Sequence, residues 1–251
     1  RDKRRRSSTG SIAFAGFRRT GIPDRHYCSR FAASSFQGVR TLIKIAVFAS
    51  GTGSNYEAIE RYVQSNPQLG LEVALVITDQ PHAGVLDRAA NWKTPAVVVD
   101  RKAFDTKTDF ETEILRQLQL YKIDFVALAG YMRIVGPTLL QHYYGKIINL
   151  HPSLLPAFRG KDAVGQALEA GVRVTGVTVH FVDAGMDTGP IIAQQAVSIE
   201  RNDTHASLTQ KIHMIEHQLY PKIVCACALG WIYLNGRQVC WCEETEQLGV
   251  K

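Results

Sequence analysis

The sequence predicts a single α/β domain whose sheet is doubly wound and mostly parallel, with helices on both faces. The chain has 251 residues, 45% of them hydrophobic, which is enough for one sizeable core. Short apolar, β-branched runs alternate with helical patterns, as they do in strand–helix–strand units. In the C-terminal part, only a glycine-rich loop separates two strand-like runs, which favours an antiparallel pair. The predicted architecture is therefore Rossmann-like with an antiparallel addition.

The first predicted unit is a strand, a glycine turn and a helix. Leu42–Ala49 is an apolar run, Ser50–Asn55 has the sequence SGTGSN, and a helix continues to about Tyr62. Backbone N–H groups at such a helix start can hold a phosphate, and glycines allow its close approach. The turn lacks the third glycine of the dinucleotide fingerprint and the lysine of a Walker loop. A phosphate site and a plain tight turn are therefore both open interpretations of these residues.

The middle of the chain repeats this alternation of apolar strands and amphipathic helices. Asp105 or Thr106 is placed to cap the longest of these helices. Residues 130–136 directly follow a strand, and ligands of open α/β sheets bind at the carboxyl ends of strands. Arg133 in this loop either meets an anionic or heteroaromatic ligand or is a solvated loop residue. The predicted strands are 71–78, 96–99 and 124–129, and the predicted helices are 84–92, 105–121 and a short one from 137.

The fifth predicted strand, 146–150, leads into the first polar groups with catalytic potential. Asn149 and His151 are two residues apart, and such residues in an extended segment project to the same side. Asp187 lies in a later glycine-rich loop. An amide donor, an imidazole and a carboxylate are the groups needed to hold an oxyanion and move a proton. Each also has a structural explanation, since a lone histidine is more often structural and aspartate often caps turns.

The C-terminal third is predicted to contain the antiparallel strand pair, one long helix and a polar tail. His180 alternates with apolar neighbours on the first of these strands and is interpreted as a packed or edge histidine. The predicted elements are strands at 174–183 and 191–199, a helix from Asp203 or Thr204 to about Leu229, and a short strand or turn with a tail in residues 230–251.

The positive charge of the chain is concentrated at its start. Residues 1–40 contain ten Lys/Arg and two acids, a net +8, so the whole-chain charge of +6 leaves −2 for the remainder. The body therefore does not have the charge of a nucleic-acid-binding domain. Residues 1–41 are interpreted as a basic, disordered extension or as sequence foreign to the mature protein, with an organelle transit peptide as the alternative.

The five cysteines indicate a reducing compartment, because most of the chain has none. Cys225 with Cys227 and Cys240 with Cys242 are two Cys-x-Cys pairs, but their spacing is not a familiar zinc pattern. We therefore expect free, partly buried thiols and no metal site. No apolar run approaches the roughly 18 residues that span a bilayer, so a cytoplasmic location without a membrane partner is predicted.

Five motifs in order give this chain a family resemblance. They are FASGTGSN, ALAGYMRIV, KIINLHPSLLPAF, GVTVHFVDAGMDTGPII and IEHQLYP, spread from about Ile43 to Leu229. Together they resemble the folate-dependent phosphoribosylglycinamide formyltransferases of purine synthesis. The resemblance implies formyl transfer from 10-formyltetrahydrofolate to the glycine amine of phosphoribosylglycinamide (GAR), with small-molecule substrates, no metal and no nucleic acid. It implies that residues 42–229 are the catalytic domain, of a monomer or a homodimer.

The resemblance also implies residue roles. Asn149, His151 and Asp187 match the catalytic trio: Asn149 and protonated His151 donate to the oxyanion, and Asp187 favours the imidazolium and helps to move the amine proton. Glu216 matches an acid near the ribose of the nucleotide. The remaining matches are the phosphate loop (Gly53, Ser54, Asn55), the segment lining the pteridine pocket (Met132, Arg133, Ile134, Val135) with Asn149 as a further folate contact, and Lys107 near the folate tail.

Two positions depart from the family pattern. Lys107 stands where members often have arginine, so the charge is kept but a bidentate clamp is lost. Arg159 gives AFRG where members often have AFPG, which is reminiscent of methionyl-tRNA formyltransferase. That enzyme needs a further C-terminal domain, and a deformylase needs a regulatory domain before the catalytic half.

Two further function classes stay open from the sequence. One is a binding-only relative that holds folate or nucleotide without turnover, and the intact trio of Asn149, His151 and Asp187 argues against it. The second is a nucleotide-dependent oxidoreductase, which the first strand and its glycine turn suggest. The missing third glycine argues against this class.

Overall fold

A computed structural model describes residues 42–249, and in them strands and helices alternate as the sequence predicts. Boundaries differ from the predicted ones by no more than a few residues. The strands are β1 (Ile43–Phe48), β2 (Leu71–Thr78), β3 (Ala96–Val98), β4 (Phe125–Leu128), β5 (Ile147–His151), β6 (Val174–Phe181), β7 (Ile191–Ser198), β8 (Ile232–Asn235) and β9 (Gln238–Trp241). The α-helices are α1 (Ser54–Ser65), α2 (Val85–Trp92), α3 (Lys107–Leu120), α4 (Pro137–His142), α5 (Ala163–Glu169) and α6 (His205–Ala228), and short 3-10 helices lie at Pro67–Leu69, Arg101–Ala103 and Glu243–Leu248.

Seven of these strands form one sheet in the order β3-β2-β1-β4-β5-β6-β7. The first five strands in this order are mutually parallel, β6 runs antiparallel to β5, and β7 runs antiparallel to β6. The predicted mostly parallel sheet with an antiparallel pair is therefore confirmed. The carboxyl ends of the parallel strands share one edge, and the loops that follow them meet there.

The core lies on both faces of the sheet because successive strand residues point to opposite sides. Ile45 and Val47 of β1 pack in one apolar cluster with buried residues of α1, α2, α5 and α6. Ala46 and Phe48 point the other way and pack with α3 and α4. Helices therefore cover both faces, as predicted for a doubly wound sheet.

Threonine caps settle the two helix starts for which the sequence offered two candidates. Thr106 Oγ1 accepts the Asp109 N–H at 3.1 Å, so Thr106 rather than Asp105 caps α3. Thr204 Oγ1 accepts the Ser207 N–H at 3.2 Å, and Ser207 Oγ accepts the Thr204 N–H at 2.9 Å in return. This reciprocal pair satisfies two N–H groups that lack helical partners at the start of α6.

A buried tyrosine fixes α6 against the middle of the sheet. The Tyr220 hydroxyl donates to the carbonyl of Leu128 at 2.7 Å and lies 3.3 Å from that of Ile148. Those carbonyls belong to β4 and β5, which are neighbours in the sheet. Residues four apart share one helix face, so Glu216 is carried to the same side of α6, toward the ends of these strands.

The described part of the C-terminal tail is ordered on the domain. β8 and β9 form an antiparallel hairpin, and Ile232 and Leu248 are buried in the larger apolar cluster. Tyr144 Oη donates to the Gly236 carbonyl at the hairpin turn at 3.2 Å. Over the described range, no helix has the length and apolarity to cross a membrane.

Candidate active site

The pairing of β5 with β6 and the loop that follows β6 bring four polar side chains together. Asn149 pairs with His180 across the strands, and Asn149 Nδ2 lies 3.2 Å from His180 Nε2. Asn149 Nδ2 is also 3.4 Å from Asp187 Oδ1, and His151 Nδ1 is 3.5 Å from Asp187 Oδ2. Asn149 and His151 therefore project to the same side, as their spacing predicts, and both meet the Asp187 carboxylate. We call Asn149, His151, His180 and Asp187 the catalytic cluster.

His180 is packed, as the sequence indicates, but it is also part of this cluster. Its side chain is 3% exposed, and Nε2 lies 3.7 Å from Asp187 Oδ1. Nδ1 is 2.9 Å from the Phe181 carbonyl, which can only accept, so Nδ1 carries the hydrogen. In the neutral ring, Nε2 is then left to accept from the Asn149 amide. Sequence reasoning missed this contact because it depends on the strand register.

The orientation of His151 is fixed in the same way. Its Nε2 lies 2.8 Å from the Phe158 carbonyl, so Nε2 carries the hydrogen and donates. Nδ1 is the nitrogen that faces Asp187. The ring is buried, so this single backbone contact determines which nitrogen is available to the cluster.

Asp187 is held in an unusual backbone conformation with its carboxylate facing the two histidines. Its φ is +54°, in the left-handed region, and Oδ2 accepts the Gly160 N–H at 2.9 Å. Burial by itself would raise the pKa of Asp187, but the contact with His180, the Gly160 N–H and the charges of His151 and His180 hold the pKa below its ordinary value. The carboxyl group is therefore ionised at neutral pH.

A different aspartate caps the glycine-rich turn. Asp183 Oδ1 accepts the Gly185 N–H at 3.1 Å and the Thr188 hydroxyl at 2.6 Å. Arg237 at the hairpin turn donates to Asp183 Oδ2 at 3.2 Å and to the Thr188 carbonyl at 3.1 Å. The capping role considered for Asp187 thus belongs to Asp183, and the C-terminal hairpin supports the loop that carries Asp187.

A second polar group joins the glycine turn to α6. Gly53, at φ +77°, precedes α1, and Asn55 Nδ2 donates to Glu216 Oε2 at 2.9 Å. Glu216 is 5% exposed, and burial raises its pKa against the opposing influence of Asn55 and His213. Asn55 Oδ1 is buried without a hydrogen-bond partner among residues 42–249. The structure thus joins Asn55 and Glu216, two of the residues assigned to nucleotide binding.

Basic side chains that sequence reasoning missed surround this group. Arg88 Nε donates to the Thr52 carbonyl of the glycine turn at 2.8 Å. The rings of His213 and His217 stack with centroids 6.1 Å apart, and His213 Nε2 lies 4.0 Å from Glu216 Oε2. Burial, followed by the charges of His213 and Arg88, lowers the pKa of His217. The four-residue spacing of the histidines places them on one helix face, but the approach of Arg88 cannot be seen in the sequence.

The segment assigned to folate binding follows β4 as a loop. Met132 and Ile134 are 68% and 55% exposed, whereas Val135 is buried. Arg133 is not a purely solvated residue, because its Nε donates to Asp79 Oδ2 at 2.7 Å. Lys107, on α3, is half exposed and has its Nζ 3.6 Å from Glu111 Oε1. We call residues 131–136 the apolar loop.

A cavity of about 670 Å³ lies between the glycine turn and the apolar loop. Asn149, His151 and Asp187 are not among the residues that line it. Its mixed lining includes buried Asp79, the exposed Arg133 that pairs with it, and Lys102. The full lining is Ser50, Gly51, Thr52, Asp79, Gln80, Pro81, His82, Ala83, Gly84, Asp100, Lys102, Met132 and Arg133.

Four cysteines lie in the described part of the chain. Cys225, Cys227 and Cys240 carry free thiols, as predicted, and burial raises the pKa of Cys225 to about 12. Cys242 is disulfide-bonded, so for this residue the prediction of a free thiol is wrong. Between residues 42 and 249, no group of three or more His, Cys, Asp or Glu side chains is arranged to hold a metal ion.

The chain is similar in sequence to proteins of one known family. Residues 43–224 match the model of the formyl transferase family. A phosphoribosylglycinamide formyltransferase of Bacillus subtilis is 52% identical over 181 residues, which cover 72% of this chain and 92% of the relative.

Solved structures of similarly named enzymes superpose on this chain. A phosphoribosylglycinamide formyltransferase from Bacillus halodurans superposes with a TM-score of 0.69 at 54% identity, covering 74% of this chain and 94% of that one. Glycinamide ribonucleotide transformylase 1 from Symbiobacterium toebii superposes with a TM-score of 0.77 at 42% identity, covering 80% and 95%.

Proposed function

The chain belongs to the formyl transferase family, and we propose that it moves the formyl group of 10-formyltetrahydrofolate to the glycine amine of GAR. The products are formylglycinamide ribonucleotide and tetrahydrofolate, in the synthesis of the purine nucleotide IMP. The observation that carries the proposal is the convergence of Asn149 and His151 on the Asp187 carboxylate. The identity of 52% to a relative named for this reaction supports the same substrates.

The first chemical step forms a tetrahedral intermediate. The amine nitrogen attacks the formyl carbon, a C–N bond forms, and the carbonyl oxygen becomes an oxyanion. The Asn149 amide donates to this oxyanion, and a pre-oriented donor of this kind typically contributes about 10²–10³ in rate. His180 Nε2 lies 3.2 Å from Asn149 Nδ2 and keeps that amide directed into the cluster.

The second donor is His151. Its Nε2 hydrogen is committed to the Phe158 carbonyl, so the hydrogen of Nδ1 in the imidazolium form is the one available to the oxyanion. The ionised Asp187 stabilises that cation by its charge. It also accepts the amine proton, through water, and delivers it to N10 as the bond from N10 to the formyl carbon breaks. No covalent enzyme intermediate is required.

Nucleotide binding is assigned to the glycine turn and α6. We assign the phosphate to the backbone N–H groups of Gly53, Ser54 and Asn55 at the start of α1, and the ribose to the neighbourhood of Glu216. Asn55 Oδ1, which has no hydrogen-bond partner among residues 42–249, can accept from a donor on the ligand. Arg88, which donates to the Thr52 carbonyl and also pairs with Glu57, adds positive charge beside this turn that favours a phosphate.

Folate binding is assigned to the apolar loop and its surroundings. Met132, Arg133, Ile134 and Val135 line the pteridine pocket, Asn149 also contacts the folate, and Lys107 lies near the anionic tail. Exposed apolar side chains such as Met132 and Ile134 have a reason to be uncovered where a ring system binds. The catalytic domain is assigned to residues 42–229. The cytoplasmic location and the choice between monomer and homodimer stay predictions.

Formyl transfer by the purified protein tests the proposal directly. The enzyme is mixed with 10-formyltetrahydrofolate, with and without GAR, and the folate absorbance change is followed. Turnover that depends on GAR is the expected result. Turnover without GAR indicates a deformylase, and folate binding without turnover indicates another amine acceptor or a binding-only protein; either result contradicts the proposal.

A further inference from the structure

The C-terminal end of the apolar loop is tied to a buried carboxylate. Glu111 of α3 is 2% exposed, and its Oε1 accepts the Gly136 N–H at 2.6 Å. Lys107 Nζ lies 3.6 Å from the same oxygen and partly neutralises it. A Cβ on Gly136 would lie 2.5 Å from that oxygen, so glycine is what allows the backbone to approach so closely. This bond fixes the point at which the loop turns into α4.

The N-terminal end of the loop is tied to a second buried carboxylate. Asp79, at the end of β2, accepts the Ser50 hydroxyl at 2.6 Å, and Ser50 Oγ accepts the Met132 N–H at 2.9 Å. The other Asp79 oxygen accepts from Arg133 at 2.7 Å. One carboxylate thus holds two successive loop residues, one through a hydroxyl relay and one directly.

Tyr131 occupies the space between these two anchors. Its ring packs edge-on against Phe48, with centroids 5.2 Å apart, and its hydroxyl is buried without a hydrogen-bond partner in the described part of the chain. Burial and the charges of Asp79 and Glu111 raise its pKa, against the opposing charge of Arg133. The first residue of the loop is therefore under the electrostatic influence of both carboxylates.

We propose that Asp79 and Glu111 are positioning residues for folate binding: from beneath, they hold the apolar loop in the one conformation that presents Met132 and Ile134 to the ligand. This inference rests on the proposed function and adds two residues that act through the apolar loop. A loop without an anchor samples other conformations, and the apparent affinity falls in proportion to the fraction that is competent to bind. Once folate is bound, the catalytic cluster is unchanged, so turnover at saturation is retained.

The test compares Glu111→Ala with Glu111→Gln. Alanine leaves the Gly136 N–H without its acceptor, and losing the partner of a buried N–H costs about tenfold in an equilibrium. We expect the KM for 10-formyltetrahydrofolate and its directly measured Kd to rise about tenfold, with kcat and the KM for GAR unchanged. Glutamine restores an acceptor oxygen and is expected to recover most of the lost affinity.

Glu113→Ala is the matched control, because Glu113 lies on the same helix but pairs with Arg116 on the surface. It is expected to bind folate as the unaltered protein does. Should Glu111→Ala not fold, Asp79→Asn makes the same test at the other anchor, and a selective rise in folate Kd is again expected.

Three results overturn the inference: unchanged folate affinity in Glu111→Ala or Asp79→Asn, equal losses for both substrates, or an equal effect of Glu113→Ala. Failure of the proposed function looks different, because the unaltered protein itself then does not bind 10-formyltetrahydrofolate or does not transfer its formyl group to GAR.

Discussion

The catalytic cluster and the binding segments are built in opposite ways. In the cluster, the side chains of Asn149, His151, His180 and Asp187 contact one another and are largely buried. The glycine turn offers backbone N–H groups, and in the apolar loop the side chains of Met132 and Ile134 are exposed to solvent. Under the proposed function, the groups assigned to the developing charge are fixed before the substrates arrive, whereas the groups assigned to cover the ligand stay open to it.

This difference implies that substrate affinity and reaction rate can be altered separately, by substitutions in different regions. Pre-oriented donors cost no reorganisation during the reaction, so a change in the cluster is expected to lower the rate at saturation. A change beneath a binding segment alters the population of the competent conformation, so it is expected to alter affinity. The following changes test that separation, from the largest expected effect to the smallest.

Replacing Asn149 by alanine removes one oxyanion donor and leaves the apolar loop intact. We expect kcat to fall about 10²–10³-fold, with a much smaller change in the Kd for folate. Steady-state kinetics with both substrates, together with folate titration, measure the two quantities. The exposed Asn202→Ala is the control and is expected to behave as the unaltered chain; a kcat within about threefold of the original in Asn149→Ala would remove the residue from the oxyanion site.

Gly53→Ala tests whether backbone geometry builds the phosphate turn. A Cβ on Gly53 would lie 2.6–2.8 Å from atoms of Val85, and its φ of +77° is strained for any side chain. We expect a loss of about 2–4 kcal/mol in the free energy of unfolding and a higher KM for GAR. In the same turn, a Cβ on Gly51 would have no neighbour within 4 Å, so Gly51→Ala is the control. Equal stability of the two variants in a urea titration contradicts the geometric explanation.

The Asp79 anchor of the apolar loop predicts that the stability of the fold depends on pH. Burial alone would raise the pKa of Asp79, but hydrogen bonds from Ser50, Arg133 and Gln80 hold it below the ordinary value. A carboxyl with a depressed folded-state pKa stabilises the fold above its unfolded pKa of about 4, and that contribution is lost as the pH falls through the folded value. Asp79→Asn should therefore be destabilised near neutral pH and lose less stability than the parent chain below pH of about 4. Parallel pH profiles in denaturant titrations would contradict this assignment.

Lys107→Arg addresses the departure from the family pattern and should have the smallest effect. Lys107 is half exposed and pairs with Glu111, and exposed ion pairs contribute about 0–1 kcal/mol. A guanidinium can bind a carboxylate in bidentate fashion, so we expect the Kd for folate to fall by no more than about fivefold. Lys93→Arg on the opposite face of the sheet is the control, and a weaker folate affinity in Lys107→Arg would argue against a contact with the folate tail.

Much of the sheet could be predicted because its strands are apolar runs punctuated by glycine turns and caps. The spacing of Asn149 and His151 gave their common direction, since the two-residue period of a strand is fixed by geometry. His180 could not be placed, because its contact with Asn149 depends on the register between β5 and β6. Register is set by pairing across the sheet and leaves no trace in one strand's own sequence.

The buried carboxylates were equally hidden from sequence reasoning. Glu111 lies among polar residues of an amphipathic helix, where a glutamate is ordinarily exposed, and only the approach of Gly136 explains its burial. From the sequence, Glu216 and His217 are interpreted as a solvated pair. The burial of Glu216 is seen only when α6 packs against the glycine turn. Both depend on contacts between distant parts of the chain, which local patterns do not record.

The central claim is that Asn149 and His151 act around the charged Asp187 carboxylate. Asp187→Asn tests it most directly, because the substitution removes the negative charge and keeps the shape of the side chain. The measurement is the single-turnover rate of formyl transfer with the enzyme saturated by both substrates, alongside the Kd of each. The account predicts a rate at least about 100-fold lower with both Kd values within about threefold of the original. A preserved rate, or a loss of binding as large as the loss of rate, would contradict it.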